Sequence, residues 1–118
     1  MGLPEILVED STLTVKELQS LEGYMRVMGK ETTYQQEASH RPAGAVTVGS
    51  YYRTIQMGRD KVRESVASVL IGLWLGLIKL EDVRRLFELL GKGGVDLSED
   101  ETARLGQVVQ ALLDKIVM

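Results

Sequence analysis

Apolar residues in this chain recur at intervals of three and four rather than two, and that rhythm constrains the fold more than any other feature. Leu18, Leu21, Met25 and Met28 make one stripe, and Val62, Val66, Val69 and Leu73 a second. Val83, Leu86, Phe87 and Leu90 make a third, and Leu105, Val108, Val109, Leu112, Leu113 and Ile116 a fourth. Each describes a helix with one face to bury. The pattern predicts an all-α chain: a compact bundle of four to five helices, the last two packing on the apolar face of Val62 to Leu77. At 118 residues and 44% apolar content, a single domain is expected.

Local chemistry sets the boundaries. Thr14 and Glu17 have capping-box spacing at the first long helix, and Gly29 stands where a left-handed residue would end it. Ser98 and Glu101 repeat the capping signal before the last helix, with Glu99 and Asp100 at the positive end of its dipole. Residues 1–13 read as an irregular lead-in, with Ile6 to Val8 as a candidate edge strand. Residues 30–49 contain Pro42 and Gly44 and no helical stripe, so they read as a long polar loop that either connects or orders on a partner. Gly91-Lys92-Gly93-Gly94 reads as a helix stop, since it lacks the spacing and preceding strand of a phosphate-binding loop.

Residues 50–76 allow two readings. Ser50 caps a short helix to Met57, Gly58 turns the chain and Asp60 caps a second helix; or one helix runs from Ser50 to about Leu75 and absorbs Gly58 at a cost of about 1 kcal/mol. Periodicity does not choose between them.

Net charge is −3, but its distribution is uneven: residues 1–39 carry −4, residues 40–63 carry +4 and residues 64–118 carry −3. The basic block coincides with the two-helix segment. If Gly58 turns, the helix after it exposes Lys61, Arg63 and Ser65, which suit a major groove, while Arg53 and Arg59 suit phosphates. Tyr51 and Tyr52 lie in the same block and suit either stacking or the core. The stretch Thr47 to Leu90, with its Gly76-Leu77-Ile78 run, resembles helix-turn-helix and winged-helix transcription regulators. That resemblance implies recognition of double-stranded DNA by a helix seated in the major groove. Lys79-Leu80-Glu81-Asp82-Val83 reads as a further helix where a winged helix would place its β-hairpin.

The chain has no cysteine and one histidine, His40, which removes thiol chemistry and thins the supply of general bases and transition-metal ligands. His40 reads as a surface histidine. Asp96, Ser98 and Asp100 imitate the start of a calcium loop, but Glu101 replaces its turn glycine. Glu81 and Asp82 are adjacent on a helix and point apart. No catalytic site, cofactor or metal is therefore expected. The apolar run Val66 to Ile78 is too short to span a bilayer, and the acidic start with Pro4 is unlike a secretory leader, so a cytoplasmic protein without membrane contact is expected.

The leading expectation is a small DNA-binding or transcription-regulatory protein of helix-turn-helix type. It would use Arg53, Arg59, Lys61, Arg63 and Ser65 on DNA and form a homodimer through Leu105, Val108, Val109, Leu112 and Ile116. The alternative is a noncatalytic all-α interaction subunit of a larger assembly, docking through exposed parts of the last stripe or the 30–49 loop, and recognisable by an exposed apolar groove.

Overall fold

The computed structural model describes residues 2–93 and 97–118, so Gly94 of the glycine cluster and Asp96 of the calcium-like stretch lie outside the described residues. The chain is all-α. It forms helices α1 (Leu3–Leu7), α2 (Val15–Met28), α3 (Tyr34–Ser39), α4 (Val48–Leu75), α5 (Leu80–Gly93) and α6 (Glu99–Ile116), with a 3-10 turn at Val8–Asp10 after α1. Among the described residues there is no strand, and Ile6 to Val8 belongs to α1 and the turn after it. By internal contacts the chain divides into a central unit, Ser11–Glu64, and a terminal unit built from Met1–Asp10 and Ser65–Met118.

In the central unit the capping box forms as spaced. The Thr14 amide donates to Glu17 Oε1 at 2.8 Å, and the Glu17 amide donates to Thr14 Oγ1 at 3.1 Å. At the other end α2 does stop beside Gly29, but Gly29 has φ −78°; the left-handed residue is Lys30, with φ 61°. The expected 30–49 loop contains α3, which a local stripe could not announce. Thr33 caps it, accepting from the Gln36 amide, and its anchors are tertiary: buried Ala38 and the two-pronged pair of Arg26 with Glu37 at 2.8 and 2.9 Å. The chain beyond α3 is tethered too. The Ala43 amide donates to Gln19 Oε1 at 2.9 Å, and the Val46 amide to the Ala38 carbonyl at 3.0 Å.

The core of this unit is Ala38, Tyr51 and Ile55, walled by Leu21, Tyr24, Tyr34 and Val46. Tyr51 is thus the core member of the tyrosine pair and donates to the Ser20 carbonyl at 3.3 Å; Tyr52 stays exposed, its ring 5.4 Å from that of Tyr34. No turn interrupts α4. Gly58 is buried inside it, and a Cβ there would lie 3.0 Å from Leu21 Cδ1, so this glycine permits close helix packing rather than a bend. Of the two readings of residues 50–76 the structure shows the single long helix, from Val48 to Leu75, and the turn at Gly58 is corrected.

In the terminal unit α6 packs against both α5 and α1. Ile6 seats on Gly106, Val109 is buried, and Gln110 Nε2 donates to Asp10 Oδ2 at 3.0 Å, which explains why the lead-in is helical rather than irregular. Gly76 ends α4 with φ 80°, a left-handed value a side chain would disfavour. The third stripe's helix, α5, ends at Gly93, inside the Gly91-Lys92-Gly93-Gly94 cluster read as its stop. Ser98 caps α6 by accepting from the Glu101 amide at 3.1 Å. Periodicity places the second stripe beneath α5 and α6; instead Val62, Val66, Val69 and Leu77 are exposed.

The Glu17–Lys61 pair, 2.7 Å apart, joins the start of α2 to α4. Burial alone would raise the Glu17 carboxyl, but the hydrogen bonds from Lys61 and from the Thr14 amide and hydroxyl hold it below the 4.5 of a free glutamate. A depressed carboxyl contributes stability fully above its unfolded value and loses it as pH falls through the folded one. Glu17→Gln keeps the capping reach and removes the charge. It is expected to cost about 1–2 kcal/mol at neutral pH, since the Lys61 end is partly solvated. The cost should shrink below pH 4.5 in urea denaturation run as a pH series; a difference independent of pH would show that the pair contributes nothing.

Candidate functional site

The five residues expected on DNA all lie on α4. At about 100° per residue, Arg59 and Arg63 share one face, while Lys61 and Ser65 lie about 120–160° round the helix from them. Arg53, Arg59 and Arg63 are exposed, and the Arg59 guanidinium sits over the Tyr24 ring at 5.3 Å, a cation–π contact. Lys61 is held by Glu17, whose carboxylate is itself buried. The set is therefore spread around α4 rather than gathered on one face.

An open hollow of about 290 Å³ in the central unit is lined by Thr32, Gln36, Glu37 and His40. Its titratable groups are engaged. The Arg26 hydrogen bond holds the Glu37 carboxyl below its ordinary value, and His40 Nδ1 lies 2.8 Å from the Gln36 carbonyl. Among the described residues no three His, Asp or Glu side chains cluster to hold a metal. No described helix is long and apolar enough to cross a membrane.

The most pronounced surface feature is apolar. Along the second half of α4 and the turn after it, Val66, Leu70, Trp74 and Leu77 stand in solvent, with Trp74 at 90% of its full exposure. Ile71 and Leu75 are exposed on the adjoining side. Sequence reasoning missed this face because the run Val66 to Ile78 reads as buried core. A usable signal was present: the run is apolar around the whole helix, more than one layer of neighbours in a small chain can cover. α5 adds an exposed Phe87 in the same unit.

The stripe expected to pair two copies is in use inside the chain. Val109 is 3% exposed, and Leu105, Leu112 and Ile116 are half-buried where α5 and α1 pack on α6. Of the five residues, Val108 alone is exposed.

Two truncations separate core from surface. Ile55→Ala, at a 2% exposed position, is expected to cost about 2–5 kcal/mol. Trp74→Ala should change the stability of the dilute monomer by less than about 0.5 kcal/mol. Urea titrations of both variants at low protein concentration check this, and a large loss on removing Trp74 would place it inside the monomer's core.

Comparison with protein-family models, with curated proteins and with solved structures finds no match for this chain, so a functional reading rests on its own geometry.

Proposed function

We propose that the chain is a noncatalytic protein-interaction module, acting in a reducing compartment such as the cytoplasm, whose docking face is the second half of α4. The observation that carries this reading is Trp74, exposed at 90% amid Val66, Leu70 and Leu77. Scattered surface apolar residues are ordinary, but a contiguous set that includes a tryptophan is characteristic of a surface covered by another protein. A partner presenting an apolar helix would match a helical face of this kind.

The test is a photoreactive amino acid at position 74, introduced in the cells that make the protein. Irradiation is expected to yield protein adducts that disappear when Val66→Lys is added. Absence of protein adducts, or adducts indifferent to the charge at 66, would overturn the reading.

The exposure of Arg53, Arg59 and Arg63 along one helix favours nucleic-acid binding as a second reading, through phosphates rather than a turn-positioned recognition helix. Three phosphate contacts correspond to a slope of about −2.7 in log K against log salt. Fluorescence anisotropy with labelled duplex DNA should show that slope and its reduction in Arg63→Ala; no binding at low salt would remove this reading.

A further inference from the structure

Tyr52 is the tyrosine of the basic block left at the surface, and two arginines share its side of α4. Resting on the second reading, that arginines of α4 meet nucleic acid, we infer that the ligand is a single strand, with a base stacked on Tyr52 and adjoining phosphates held by Arg59 and Arg63.

The site lies wholly within the central unit. At about 100° per residue, Gln56, Arg59 and Arg63 fall within about 40° of Tyr52, so the four make one line along α4. All four are exposed. Tyr51, one position back, is turned into the core. Arg53, one position on, lies about 100° away from the line, on the side of Asp60.

Helices α2 and α3 hold the ring and the charge in place. Tyr52 stands against Tyr34 of α3, centroids 5.4 Å apart and planes tilted by 60°, a contact that steadies a ring still 50% exposed. The Arg59 guanidinium rests over Tyr24 of α2 at 5.3 Å. Three of the chain's four tyrosines therefore gather around this line. Among the described residues neither Arg59 nor Arg63 is paired with a carboxylate, so both charges face solvent undiminished.

These groups select the chemistry of the ligand. Two guanidinium groups repel a cation, and Arg59 already covers the Tyr24 ring, which disfavours an aromatic cage for a methylated ammonium. The ligand is an anion that also offers a flat face to Tyr52. Bases in a duplex have their faces covered by their neighbours, whereas an unpaired strand presents open base faces beside its phosphates. Gln56, between Tyr52 and the arginines, adds an amide that can donate to and accept from a base edge. The balance of charge agrees. The central unit has eight Lys and Arg against six Asp and Glu, and the terminal unit six against eleven.

The test is fluorescence anisotropy of the purified full chain with an end-labelled single strand, made as DNA and as RNA of one sequence, and with the corresponding DNA duplex. One of the single strands is expected to bind more tightly than the duplex, which names the source. Its slope should be about −1.4 in log K against log salt, the value for two phosphate contacts on a single strand, and Arg63→Ala should take about 0.7 from it. Tyr52→Ala should weaken binding about tenfold or more, and Tyr52→Phe should leave it unchanged, with the same helical circular dichroism in every variant. Single-strand binding indifferent to Tyr52→Ala would overturn the stacking. Duplex bound as tightly as either strand would overturn this inference alone and leave the second reading standing, while no binding of any probe at low salt would remove both.

Discussion

The contact between Gly58 and Leu21 decides what α4 can be. A Cβ at position 58 would crowd the Leu21 side chain at 3.0 Å; with glycine there, α2 and α4 pack closely beside the sealed Tyr51 and Ile55 and the pair of Lys61 with the buried carboxylate of Glu17. The helix then passes straight through a point where the same glycine could have turned the chain. One result of that continuity is that the same helix carries on into a long apolar segment.

The second half of α4 poses a different problem. Its residues are apolar on several sides, while α6 spends Val109 and Gly106 inside its unit, where it packs on α5 and α1. The stripe that reads as the seam for a partner is the one closed within the chain, and the stripe that reads as core is the one left in water. Both stripes have the same periodicity, so pattern establishes that each needs a cover without saying which cover comes from inside.

What could be read from the sequence was what local chemistry determines. Thr14 with Glu17 and Ser98 with Glu101 mark helix starts because the bonds they make are to amides within one turn. Long stripes announced α2, α5 and α6, and left residues 50–76 open between one helix and two. By contrast, α3 depends on Arg26 reaching Glu37 and on Ala38 being covered, and α1 on Ile6 finding Gly106, a hundred positions along the chain. Lys30 accepts a left-handed conformation beside a glycine that would have adopted it at less cost, which no propensity scale selects. The candidate face was illegible because exposure depends on what the rest of the chain leaves uncovered, and an apolar run carries no record of that.

Trp74 has a consequence for the protein's life in a cell. A tryptophan among leucines, open to water, is the signature by which chaperones and proteases recognise chains that have failed to fold. A correctly folded but solitary copy displays the same signature. If the proposed docking holds, assembly sets abundance as well: copies made in excess of what can be covered are the ones removed, and the steady level of the protein tracks the supply of its complement.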